Sequence, residues 1–223
     1  KRTTIGGCSE ASGPGTFARR AIRTLRFEPT VNSGWWLLRR DLNEQLPIAV
    51  SPRNIWTSQR NIVLRSGSPH NYMRMVEHII ALRFGLGIDD ITVATDSGDP
   101  PLFDRSSVDL IEAIDRAGIV ERDEPARYVT VKEPVTICGS RNDFVTLLPA
   151  AHGEHRLRID CAVDFASIIG KQRILFDLTP DLFRYGAQAR TNATQAQMLY
   201  CNTIGMIFAD TRNLGYTTKN ILI

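Results

Sequence analysis

The stretch Val76-Glu77-His78-Ile79-Ile80-Ala81-Leu82, followed at once by Gly85-Leu86-Gly87-Ile88-Asp89, constrains this chain more than any other segment. Val76, Ile79, Ile80 and Phe84 recur at helical spacing, which predicts a helix from Val76 to Phe84, with Gly85 and Gly87 as its C-terminal stop. Into that apolar helix the sequence sets a carboxylate beside an imidazole, where an unpaired charge is costly to bury. A Glu next to a His suits a metal hydrolase, because the imidazole holds the metal while the carboxylate takes a proton from metal-bound water. A catalytic zinc takes three protein ligands and leaves one position open, so two further ligands are required.

The first half of the chain reads as short strands followed by two helices. Ala21 to Phe27, Trp35 to Arg39 and Asn61 to Leu64 are the expected early strands, punctuated by Pro29 and Asn32-Ser33-Gly34, and Ile91 to Thr95 is a further one. A second helix starts at Ser106 or Ser107, either of which is a good cap, and carries Val108, Ile111 and Ile114 to Gly118. Both helices can cover one face of one sheet. The charged run Glu121-Arg122-Asp123-Glu124-Pro125 is the expected linker, dividing the chain into residues 1–124 and 125–223.

Beyond the linker the pattern repeats, strands first and helices after. Tyr128 to Ile137, broken near Pro134, then Phe144 to Leu148, Arg156 to Val163 and Arg173 to Phe176 read as strands. Thr179-Pro180-Asp181 opens a helix toward Arg190, with Thr as cap, Pro in the first turn and Asp at the positive end of the dipole. Another helix is expected from Ala193 to Cys201, and Asn220 to Ile223 is strand-like. An apolar end of this kind is either anchored in a sheet or interrupted.

Composition narrows the function classes. With 223 residues, 43% of them hydrophobic, the chain has the balance of a globular protein rather than a disordered or collagen-like one. No apolar run is long enough for a transmembrane segment. A net charge of +3, with Lys and Arg scattered along the chain, argues against nucleic acid as a partner. Cys8, Cys138, Cys161 and Cys201 lie far apart with no C-x-x-C pair, which favours reduced thiols and a reducing cytoplasmic or organellar interior over any of the three ways four cysteines can pair.

Met75-Val76-Glu77-His78, Gly85-Leu86-Gly87-Ile88-Asp89-Asp90, Pro101-Leu102-Phe103-Asp104, Ala117-Gly118-Ile119 and Ala189-Arg190-Thr191 stand in the order and spacing of one family. The chain resembles the UDP-3-O-acyl-N-acetylglucosamine deacetylases, zinc enzymes of bacterial lipid A synthesis, over nearly its whole length. The resemblance implies an α+β fold of two similar domains, each a sheet packed on two helices, forming a layered α/β sandwich whose second domain is here incomplete and C-terminally short. It implies that Glu77 matches the general base, His78 a zinc ligand and Thr191 a residue stabilising the tetrahedral oxyanion. A nucleotide-sugar or acyl ligand is implied as well. Zinc would lower the pKa of its water to about 7, giving a hydroxide that attacks the acetamide carbonyl.

The sequence departs from that family at several places. The family's His-Lys-x-x-x-Asp helix, which supplies the other two zinc ligands, and a later His acting as general acid have no counterpart in these residues. Gly15-Thr16-Phe17-Ala18-Arg19 stands where the family has Gly-Leu-His-Ser/Thr-Gly, and Asp104-Arg105-Ser106 replaces Asp-Gly-Ser. The expectation is therefore a divergent, non-catalytic homologue with no zinc of its own, acting as a binding or structural subunit of a larger assembly with protein partners. The competing expectation is an active zinc-dependent deacetylase whose C-terminal ligand segment lies outside this chain. A third is a carrier that binds an acylated ligand without hydrolysis.

Other motifs have plain readings. His152-Gly153-Glu154-His155 is expected to be a solvated hairpin turn rather than a metal motif, and Ser12-Gly13-Pro14-Gly15 a turn rather than a phosphate loop. Trp35 and Trp36, adjacent on a strand, must face opposite sides, so at least one is core.

Overall fold

The computed structural model describes residues 1–16, 21–58, 61–140, 142–165, 169–203 and 216–222. Phe17, Ala18, Arg19 and Ile223 lie outside the described residues, as does the side chain of Cys201. The first elements are β1 (Thr3–Ile5), β2 (Ser9–Pro14), β3 (Ile22–Glu28), β4 (Trp35–Arg39), β5 (Ile48–Ala49), β6 (Ile55–Thr57), β7 (Val63–Arg65) and β8 (Tyr72–Met73). After them come α1 (Glu77–Gly85), β9 (Ile91–Thr95), α2 (Val108–Ala117) and β10 (Ile119–Glu121). Two hairpins follow, β11 (Val135–Cys138) with β12 (Phe144–Leu147) and β13 (Arg158–Phe165) with β14 (Gly170–Asp177). Last are α3 (Pro180–Gly186), β15 (Thr191–Asn192), α4 (Gln195–Asn202) and β16 (Ile221–Leu222). The fold is mixed α+β, as expected for the layered α/β class.

Two compact units emerge, one made of Lys1–Glu124 with Thr179–Ile223, the other of Pro125–Leu178. The first unit is built on a five-stranded sheet of order β2-β3-β9-β4-β5, antiparallel except between β4 and β9. Leu25, Phe27, Trp35, Leu37, Ile91 and Val93 are buried on this sheet, in one apolar cluster with Ile79 and Leu82 of α1 and Leu110, Ile111, Ala113 and Ile114 of α2. Each strand alternates, so only one side chain in two joins the cluster. Trp35 is buried with its Nε1 donating to the Ile88 carbonyl at 2.7 Å, whereas Trp36 is half-buried, as the strand geometry requires.

Helix α1 begins one residue later than the spacing predicts, and its buried stripe runs through Val76, Ile79, Leu82 and Leu86. Phe84 is 59% exposed, so it does not belong to the buried face; the stripe continues at intervals of three and four that pass it by. The stop works as expected, with Gly87 at φ +67 and the Ile88 N–H donating back to the Arg83 carbonyl.

Ser12-Gly13-Pro14 ends strand β2 instead of forming the expected turn; β2 is a sheet edge, where proline is tolerated because no ladder donor is required. The charged run ends where the two compact units divide, at Glu124, although Glu121 itself ends β10, paired with β1, and Arg122 binds Asp90 and Glu124. His152 and Gly153 do make an exposed turn, but it joins two separate hairpins rather than two paired strands, and His155 stacks on Tyr128 with ring centroids 4.1 Å apart.

The Gly85-to-Asp90 motif earns its place through Asp89 and Asp90. Asp89 accepts the Thr3 N–H at 2.9 Å, which ties β1 to the end of the motif. Asp90 is fully buried and accepts from Arg2, from Arg122 at 3.1 Å and from the Gly34 N–H at 2.6 Å. Burial by itself would raise its carboxyl pKa, but these donors outweigh burial and hold it below its ordinary range.

Helix α3 starts as its sequence predicts, with the Thr179 hydroxyl accepting the Leu182 N–H at 3.2 Å, and it packs on α1. Arg184 of α3 is paired with Asp115 of α2 at 2.6 Å. In the second unit each hairpin has one apolar face, Val135, Ile137, Val145 and Leu147 in the first and Ile159, Cys161, Val163 and Ile174 in the second. No described residue from 125 to 178 is buried. Cys8, Cys138 and Cys161 are free and exposed. No described helix is long and apolar enough to cross a membrane.

Candidate functional site

The loops entering α1 and α2 place the site. Met75 at φ +55 turns the chain into α1, and Ser106 at φ +57 turns it into α2; both are left-handed positions that a residue with a Cβ occupies only at a cost. Each turn sets a helix N-terminus against the same cleft, bordered by Met75, His78 and Ser106. Thr16, Leu25, Ile79, Pro101, Phe103 and Leu110 give it a mainly apolar lining, and Thr191, Tyr216, Asn220 and Ile221 supply another wall. A mostly apolar cleft with a few polar groups is the ordinary form of a small-molecule site.

His78 is on the first turn of α1, with its Nδ1 3.2 Å from the Ser107 Oγ. Burial lowers its pKa below the ordinary value, and the adjacent Glu77 carboxylate opposes that shift without cancelling it. The ring is therefore neutral at neutral pH, with one nitrogen protonated. If Nδ1 donates to Ser107, the Nε2 lone pair is free to bind a metal; if Ser107 donates to Nδ1, Nε2 carries the proton.

Glu77 is the first residue of α1, and one carboxylate oxygen accepts the Ile62 backbone N–H. Its Oε2 is buried with no partner among the described residues. An acceptor in that position needs a donor, which a water, a protonated oxygen or a ligand supplies. Glu77 does not line the cleft, whereas His78 and Thr191 both do. Thr191 is exposed in β15, paired in parallel with Ile221 of β16.

Among the described residues no three His, Cys, Asp or Glu side chains come together in a group that could hold a metal ion. His70 is an exposed loop residue, and His152 and His155 belong to the Pro125–Leu178 unit.

Ser107 and Asp104 were not singled out by sequence reasoning as site residues. Ser107, one of the two serines able to cap α2, makes no side-chain cap bond, because its hydroxyl goes to His78. The paired Ser106-Ser107 before one helix was the available signal, since one cap suffices. Arg105, standing where the family has glycine, is paired with Asp109 and Glu112 at 2.6 and 2.7 Å on the surface.

Comparison with known proteins agrees with the motif resemblance. The family model for UDP-3-O-acyl N-acetylglycosamine deacetylase matches residues 2–213. The chain is 32% identical over 226 residues to the UDP-3-O-acyl-N-acetylglucosamine deacetylase of Sulfurovum sp., covering 100% of this chain and 71% of that protein. It is 30% identical over 194 residues to the enzyme of the same name from Campylobacter concisus, covering 86% of this chain and 63% of the relative. For that of Thermosynechococcus vestitus the identity is 30% over 206 residues, covering 92% and 69%. The matches thus span roughly two thirds of the relatives' length. On the family model and these identities, the chain belongs to the UDP-3-O-acyl-N-acetylglucosamine deacetylase family.

Proposed function

We propose that these 223 residues form a divergent, non-hydrolysing member of the family that serves as a binding or structural subunit of a larger assembly. The observation that carries the reading is the donor set, in which, among the described residues, His78 is unaccompanied by the two further ligands a catalytic zinc requires. Two internal departures support it: Phe17 stands at a family histidine position, and Arg105 is committed to surface ion pairs where the family has glycine. The cleft suits an acyl or nucleotide-sugar ligand of the kind named in the relatives' activity, bound without turnover. Residues 1–124 and 125–223 are read as the family's two domains. Exposed free Cys8, Cys138 and Cys161 favour a reducing cytoplasmic or organellar interior.

Zinc by mass spectrometry on the purified chain is expected well below one per molecule, with no release of acetate from UDP-3-O-acyl-N-acetylglucosamine above that of Glu77→Ala. Stoichiometric zinc together with turnover that disappears in Glu77→Ala overturns the reading.

A second reading has its own support. His78 and Thr191 share one cleft, and Glu77 keeps a buried oxygen without a described partner. In that reading the chain carries the base, one ligand and the oxyanion residue of an active deacetylase, and polypeptide outside these 223 residues carries the remaining ligands. A His-Lys-x-x-x-Asp segment encoded beyond Ile223 would favour it.

A further inference from the structure

The wall of the cleft formed by residues 216–222 is fastened to the rest of the unit at a few points, and several converge on one side chain. Asp104 precedes the left-handed Ser106 and the α2 N-terminus. Its Oδ1 accepts from the Thr217 hydroxyl at 3.3 Å and from the Asn220 side-chain amide at 3.3 Å, while its Oδ2 lies 3.8 Å from the Lys219 ammonium. Asn220 and Ile221 are each only 5% exposed and line the cleft, as does Tyr216, whose hydroxyl is 3.9 Å from the Met75 sulfur. Further ties among the described residues hold the segment. Arg190 donates to the Thr218 carbonyl at 2.9 Å, and Ile221 and Leu222 pair with Thr191 and Asn192.

We propose that Asp104 latches residues 216–222 as a wall of the His78 cleft, and that the latch consists of its two hydrogen bonds rather than of its charge. The contributions separate by solvent. Lys219 and Asp104 are 76% and 51% exposed, and a pair so open to water contributes little. Two donors onto one carboxylate oxygen, one of them from Asn220, whose residue is only 5% exposed, are harder for water to replace. Asp104 is thus a positioning residue. It does not line the cleft, and it acts through Asn220, Ile221 and Tyr216 on the size of the cleft and on access to His78. This stands apart from whether the cleft hydrolyses anything.

The test uses the whole chain and needs neither zinc nor substrate. Hydrogen exchange of peptides covering residues 216–222 is read together with carbethoxylation of His78 by diethyl pyrocarbonate, assigned by peptide mass mapping. In Asp104→Ala both rates rise by about tenfold, while exchange in β4 and β9 is unchanged. Asp104→Asn, which keeps an acceptor oxygen but no charge, restores near-native rates, and Lys219→Ala has no effect. Should Asp104→Ala unfold, Thr217→Val removes one of the two donors from the other side and shifts both rates in the same direction. Native rates in both Asp104→Ala and Thr217→Val overturn the latch, and a loss in Asp104→Asn equal to that in Asp104→Ala overturns its hydrogen-bond character.

Discussion

Ser107 spends its hydroxyl on His78 rather than on the first turn of α2. Ser107→Ala should therefore cost about 0.5–1.5 kcal/mol, the net range for one hydrogen bond at a part-buried imidazole, measured as a shift in urea midpoint. The same variant should change the nitrogen-15 shifts of the His78 ring, which a lost helix cap would leave alone. Asp90 works by a different mechanism. It is buried between Arg2 and Arg122, and removing one member of such a group costs about 3–5 kcal/mol because the other charges are left uncompensated. Its pKa is held below the ordinary 3.8, so its contribution is fully present above that pH and is lost as pH falls through the lowered value. Urea midpoints measured from pH 6 to pH 2 should fall steeply below about pH 4 in the native chain, and less steeply in Asp90→Asn.

At the scale of elements, the contact of α1 with α3 rests on a glycine. A Cβ on Gly85 would lie 2.2 Å from the Phe183 ring, well inside contact distance. Gly85→Ala should destabilise by about 1–3 kcal/mol through overpacking, offset in part by the better helix propensity of alanine. Combined with Phe183→Ala, which removes the ring, it should cost clearly less than the sum of the two single changes; additive costs would place the strain elsewhere. The helices, β9, β4 and the capped start of α3 were legible in the sequence because their signals are local: an apolar stripe, an alternating run, a Thr-Pro-Asp start. Strands β1, β2, β5 and β10 were not, since they are short or polar and exist as strands only through partners distant along the chain.

Across the whole molecule, stability is unevenly distributed. The core lies in the unit of Lys1–Glu124 and Thr179–Ile223, whereas no described residue from 125 to 178 is buried. Two-stranded hairpins without a covered apolar face are marginal in water. Native-state hydrogen exchange should accordingly be slowest in β3, β4 and β9 and fastest in β11 to β14, and limited proteolysis should cut first between residues 125 and 178. Equal protection in both units would contradict this distribution. The sequence alone determined the family, the α+β class and the pairing of Glu77 with His78, because motif order and hydrophobic period are properties of neighbouring residues. Tertiary structure alone decided that Ser107 binds His78 rather than capping a helix, that Asp104 accepts from Thr217 and Asn220, and that Thr191 and His78 border one cleft while Glu77 turns toward Ile62. Each of these joins positions far apart in the chain, and such contacts are set by packing that no local pattern encodes.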